Sequence, residues 1–181
     1  MFCHFGDNRM RVYIPLATGQ NIPNFVIKSL ASQVIPCDII PCCTPGIINS
    51  NHNVEGLDRS KKRLCEMASR NLAMDMIKVS GEEFVAMQDR DVMHLFPGTY
   101  DKALKYLTSN KNIGIVSLPY FKDKTTHIIM KAVVFRVELL IDFRFRVDNR
   151  QHMCSCMTDD AKAQGFCCEY VPSDEIFVKE I

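Results

Sequence analysis

Hydrophobic residues fall along this chain in short apolar runs that alternate with longer helical stripes. Arg11 to Leu16 (RVYIPL) predicts a first strand, with Pro15 at its end. In NIPNFVIKSLASQ, Asn21 stands as a capping residue and Pro23 at a first-turn position, and Phe25, Val26, Leu30 and Ala31 follow a helical period. CDIIPCC predicts a second strand, closed by the turn signal Pro45-Gly46. Residues 47–58 are polar and read as a loop. Ser60 to Ile77 predicts a long helix whose stripe runs through Leu64, Met67, Ala68, Asn71, Leu72 and Ile77. Gly81 separates it from a short buried strand, Phe84 to Met87.

The second half is less regular. TYDKALKYLTSN predicts a helix and NIGIVSLPYF a strand, and FKDKTTH is a polar loop. Ile128 to Leu140 is apolar, β-branched early and helical in flavour from Arg136. TDDAKAQ predicts a short helix capped by Thr158 and stopped by Gly165, and FCCEYVP a final strand. Strand–helix alternation in the first half implies parallel strands joined by crossovers. The expectation is one three-layer α/β/α domain with a mostly parallel central sheet.

Composition narrows the class. A chain of 181 residues with 47% hydrophobic content is long and apolar enough to bury a core. Its 22 basic and 21 acidic residues nearly cancel, so it is not built to grip a nucleic-acid backbone over its whole surface. No apolar run approaches the roughly 18–20 residues of a membrane span. The start, MFCHFGDNRMRV, lacks the apolar core of a signal peptide. Nine cysteines, an odd number, then fit free thiols in a reducing cytoplasm. The Cys154/Cys156 and Cys167/Cys168 groups also allow zinc or disulfides, but adjacent strand cysteines point to opposite faces and packing explains them best.

The densest chemistry lies where GEEFVAMQ meets Asp89-Arg90-Asp91. Residues i and i+2 of an extended segment share a face, so both carboxylates can converge at the strand's end. In open α/β sheets the ligand crevice lies at the carboxyl ends of strands. Two oxygen ligands there suit a hard divalent cation that holds a diphosphate. The plainer reading is a solvated acidic loop. His94 joins no such constellation and reads as structural, while His127 follows a lysine-rich loop.

Four segments, in order, resemble the family 2-like glycosyltransferases with the nucleotide-diphospho-sugar transferase (GT-A-type) fold. They are IPLATGQN, the helix NFVIKSLASQ, the pair ASRNLA then GEEFVAMQDRD, and QGFCCEYVP. The resemblance implies a metal-dependent glycosyltransferase using Mn2+ or Mg2+ and a nucleotide-sugar donor, with a UDP-sugar favoured. It implies Asp91 as metal ligand, and Asp89 on the ribose or a metal-bound water. Arg70 and Asn71 would lie near base and phosphate, and Pro15, Ala17 and Thr18 near base and ribose. It also implies a nucleotide-binding part over about 11–118 and an acceptor-side part over about 119–181. Arg70 has a plainer alternative, as an exposed helix residue paired with Glu66.

The sequence departs from the family at two places. The acid that reads uracil is replaced by Cys42, Cys43 and Thr44, which leaves base preference open. The acidic pair that supplies the catalytic base is absent from His152 to Cys156; the nearest candidates are Asp148, His152, Asp159 and Asp160. The acceptor stays open among polysaccharide, protein and modified DNA. So does its holder: a partner, a second subunit of a homo-oligomer, or Tyr120 to His127. The competing reading is a catalytically degenerate, transferase-like nucleotide-binding module. Nucleotidyl transfer is disfavoured, because PLATGQN carries no basic residue to cradle a phosphate.

Overall fold

The structure is a computed structural model that describes residues 9–16, 19–43, 59–120, 129–140, 143–146 and 153–181. In chain order the elements are β1 (Met10–Leu16), α1 (Asn24–Ala31), β2 (Cys37–Cys43), α2 (Arg59–Lys78), β3 (Phe84–Gln88), β4 (Val92–His94) and α3 (Thr99–Ser109). Then come β5 (Ile113–Ser117), β6 (Ala132–Arg136), a 3₁₀ turn (Val137–Leu140), α4 (Met153–Ala163), β7 (Cys167–Tyr170) and β8 (Val178–Glu180). Six strands form one sheet in the order β2-β1-β3-β6-β5-β7. β1 pairs in parallel with β2 and β3, and β5 with β7; only β6 in this sheet runs antiparallel, between β3 and β5. The sheet is therefore mostly parallel, as the alternation predicts.

Both sheet faces are covered. Met10, Val12, Ile14 and Leu16 alternate along β1 and pack with Val26 and Leu30 of α1 and Tyr100, Ala103 and Leu107 of α3. Tyr13, Val85, Met87, Val133 and Phe135 point the other way, against Ala73, Met74 and Ile77 of α2 and Met157 and Ala161 of α4. Covering by helices explains why these strands are near-continuous apolar runs. Arg136, buried at the end of β6, donates to the Leu107 carbonyl at 2.9 Å, adding a second donor to a group in the last turn of α3 that also accepts the Asn110 N–H.

Three local expectations change. α1 has Pro23 at its N-cap with no side-chain cap bond, so Asn21 does not cap it. The buried stripe of α2 runs through Arg70, Ala73, Met74 and Ile77, one step away from Ala68 and Leu72, which are half-buried. Its phase was hidden because a buried arginine belongs to it. α4 begins at Met153, not Thr158. Thr158 is a buried mid-helix residue whose hydroxyl donates to the Cys154 carbonyl at 2.9 Å. Asp159 and Asp160 therefore lie beyond the helix's first turn. β4 and β8, too short to show a period, pair antiparallel as a separate two-stranded sheet.

The predicted stop holds at Gly165, whose φ is +84°. Its N–H reaches the Lys162 carbonyl at 3.0 Å and that of Phe166 reaches Ala161 at 2.9 Å, the two bonds of a Schellman cap. Gly114, in buried β5, is needed for space. A Cβ there would lie 2.7 Å from Leu139 Cδ2 and 2.9 Å from Phe166 Cβ. Gly114→Ala is expected to destabilise the fold by about 1–3 kcal/mol through overpacking. Urea unfolding measures this, and an unchanged midpoint and slope would refute it.

Candidate functional site

Three strand ends meet at Asp89. β3 delivers it directly. The antiparallel register of β3 with β6 pairs Gln88 with Ala132, so the next step sets Lys131 opposite Asp89. The Asp89 N–H donates to the Lys131 carbonyl at 2.8 Å, which extends the ladder by that step. β4 follows the turn, and its pairing with β8 sets Val92 opposite Glu180. The Ile181 N–H donates to the Asp91 carbonyl at 3.0 Å, fixing the chain beside Glu180 to the second acid.

The side chains form a linked set of charges. Asp89 Oδ1 accepts from the Arg70 guanidinium. Asp89 Oδ2 lies 3.4 Å from Lys131 Nζ, which also lies 3.0 Å from Glu180 Oε1. Glu180 Oε2 accepts from the Tyr120 hydroxyl at 2.7 Å. Asp91 Oδ1 is buried and makes no hydrogen bond. Burial pushes the Asp91 carboxyl up; Lys131 opposes this, and Asp89 and Glu180 add to it. Burial by itself would lower Lys131, but Asp89, Glu180 and Asp91 hold it above its ordinary value. The Tyr120 hydroxyl and Lys131 hold Glu180 below the ordinary carboxylate range.

Arg70 is buried, not an exposed helix residue. α2, packed against β1 and β2, brings the Arg70 guanidinium to Asp89, with Nη1 3.8 Å from Met87 Sδ and Cζ 5.7 Å from the Phe145 ring centroid. Asn71, one position on, clamps the 143–146 segment: its Nδ2 donates to the Phe145 carbonyl at 2.9 Å and its Oδ1 accepts the Phe145 N–H at 2.8 Å. Pro15 lies on β1, next to β2. Asp160 pairs with Arg146 at 2.8 Å, and Asp159 is exposed on α4. Ala17, Thr18, Thr44, His127, Asp148 and His152 lie outside the described residues.

The donor set fits a hard divalent ion in part. Asp89 and Asp91 offer oxygens, and the buried, unbonded Asp91 Oδ1 is the kind of atom such an ion satisfies. Among the described residues no group of three or more His, Cys, Asp or Glu is arranged to hold a metal ion unaided. Two carboxylates completed by a diphosphate fit that finding; an all-protein cage does not. None of the seven described cysteines forms a disulfide, and burial pushes Cys37, Cys42 and Cys168 up to about 12, so these three stay protonated and act as packing.

Lys131 and Glu180 were not singled out in the sequence. A lone lysine at the head of a β-branched run was the available signal for the first. For Glu180 there was none, since it depends on a three-residue strand pairing across the chain.

No helix among the described residues is long and apolar enough to cross a membrane. No family profile matches the sequence, and no curated protein matches it. Solved structures do resemble it. A mannosyltransferase, PcManGT from Pyrobaculum calidifontis, solved with GDP-Man and Mn2+, is 15% identical; the match covers 95% of this chain and 56% of that one, at a TM-score of 0.65. S. aureus TarS, solved with UDP-GlcNAc, is 14% identical over 94% of this chain and 58% of that one, at 0.62. A cytidylyltransferase from Leptospira borgpetersenii is 12% identical over 93% of this chain and 77% of that one, at 0.54. The chain thus spans a little over half the length of the first two. At these identities the likeness is one of fold: the chain has the GT-A-type fold of nucleotide-sugar transferases, which a nucleotidyltransferase also has.

Proposed function

We propose that this chain is a metal-dependent glycosyltransferase that moves a sugar from a nucleotide diphosphate donor to an acceptor. The observation that carries the reading is the buried, unbonded Asp91 oxygen beside Asp89, at the carboxyl end of β3 in a nucleotide-sugar transferase fold. Asp89 and Asp91 would hold Mn2+ or Mg2+, which when bound supplies positive charge to the leaving diphosphate. Asp89, fixed by Arg70, also faces the ribose. Pro15, Ala17, Thr18 and Thr44 would form the wall against the base. Asn71 acts by holding the 143–146 segment beside Arg70.

In the reaction the bond from the sugar's anomeric carbon to the diphosphate oxygen breaks, and the acceptor oxygen bonds that carbon. The acceptor's proton passes to a base drawn from Asp148, His152, Asp159 and Asp160. Asp160 is paired with Arg146, and Asp159 is exposed on α4. Residues from about 119 onward face the acceptor, alone or with a second copy of the chain. The free thiols suit a cytoplasmic setting.

A second reading is a nucleotide-binding module without turnover. It is favoured by the engagement of Asp89 with both Arg70 and Lys131 and of Asp160 with Arg146. Isothermal titration with UDP, GDP, CDP and ADP, each with and without Mn2+, tests both. The expected result is Mn2+-dependent binding of one nucleotide, UDP first, followed by slow hydrolysis of the matching nucleotide-sugar. Binding without hydrolysis selects the module, and no binding by the folded protein ends both readings.

A further inference from the structure

Lys131 bridges two of these acids, Asp89 and Glu180. Its ammonium lies between Asp89 Oδ2 at 3.4 Å and Glu180 Oε1 at 3.0 Å, with only a quarter of its side chain exposed. The arrangement is set by backbone: β6 runs antiparallel and places Lys131 opposite Asp89, and β8 places Glu180 opposite Val92. Neither placement follows from the acidic triplet itself. Three carboxylates this close would repel one another without a positive charge between them, and in a partly buried site water screens them poorly.

We infer that Lys131 is the resident counter-ion of this cluster and competes with the divalent ion for it, so that the ion binds well only together with a nucleotide diphosphate. The inference rests on the proposed site at Asp89 and Asp91. A divalent ion entering alone would meet an ammonium already bonded to two of the acids. It must either displace Lys131 or bear its repulsion. A diphosphate changes this balance, because its oxygens offer Lys131 an equivalent charge-assisted partner and release the carboxylates. Linkage then requires the ion to tighten nucleotide binding by the same factor by which nucleotide tightens ion binding. The device keeps the cluster neutralised in the resting protein and makes ion and donor arrive as a unit.

The test is Mn2+ binding without nucleotide, measured by titration calorimetry on the wild type, Lys131→Met and Lys131→Gln. Two replacements guard against one that misfolds, and melting curves establish that each is folded. Removing the ammonium is expected to tighten Mn2+ binding at least tenfold, and adding Asp91→Ala to Lys131→Met is expected to abolish the gain. In EDTA, both Lys131 replacements are expected to bind the nucleotide more weakly than the wild type. Mn2+ affinity that is unchanged or weaker in both folded variants overturns the inference, as does a gain that survives Asp91→Ala. Failure of the site itself is seen separately, as a wild type whose nucleotide binding ignores both Mn2+ and Asp91→Ala.

Discussion

Replacing Arg70 by alanine is expected to lower the free energy of unfolding by about 3 kcal/mol, toward the lower end for one member of a buried ion pair. The lower end applies because Asp89 keeps a second cation, Lys131, on its other oxygen. The Arg70 and Asp89 side chains are only 11% and 20% exposed, so water cannot readily replace the lost partner. Three contacts go together: the guanidinium bond to Asp89, the approach to Met87 Sδ and the stacking over Phe145. Lysine preserves the charge but not the planar fork, so Arg70→Lys should recover only part of the loss. Urea denaturation of both variants measures it. A loss below about 1 kcal/mol for alanine would mean that Asp89 relaxes freely into solvent. Nucleotide affinity would fall too, because Asp89 loses its fixed direction; a fall in affinity at unchanged stability would instead make Arg70 a direct ligand contact.

Arg70 also shows where the sequence was legible. The order of β1, α1, β2, α2 and β3 could be read because each element is long enough to display its period, and Asp89 and Asp91 were placed at a strand end by the abrupt stop of an apolar run. The face of α2 is not legible in the sequence because hydrophobic periodicity cannot see a buried arginine whose partner is 19 positions away. Thr158 looked like a cap because nothing in Met153–Met157 signals a helix start, and its hydroxyl bonds backward instead. Lys131 and Glu180 belong to the site through strand register alone. Register across β3–β6 and β4–β8 is a long-range property, and a one-residue slip would turn Lys131 to the opposite face.

Acid is expected to destabilise this protein through His94, and by more than its carboxylates alone would. β4 ends in His94, which is buried against Tyr100, with ring centroids 4.6 Å apart. Its hydrogen-bond partners are neutral. Nε2 lies 2.9 Å from Gln88 Oε1, which also accepts the Tyr100 hydroxyl at 2.7 Å, and Nδ1 lies 2.5 Å from Thr99 Oγ1. The amide oxygen of Gln88 can only accept, so Nε2 carries the proton; the Thr99 hydroxyl beside Nδ1 donates its own proton to Gln33 Oε1 at 2.8 Å. Burial lowers the His94 pKa from 6.5 to about 3. The unfolded chain therefore binds a proton that the folded one refuses. Stability from this residue is fully present above pH 6.5 and is lost at about 1.4 kcal/mol per pH unit below it, reaching about 4–5 kcal/mol near pH 3. His94→Gln removes the titration while keeping a polar side chain. Denaturation midpoints from pH 7 to pH 4 should fall more steeply for the wild type than for the variant, whatever stability the variant has lost at neutral pH. Parallel curves would mean that the imidazole is protonated with little penalty in the folded state, held by Gln88 and Thr99 as a double donor.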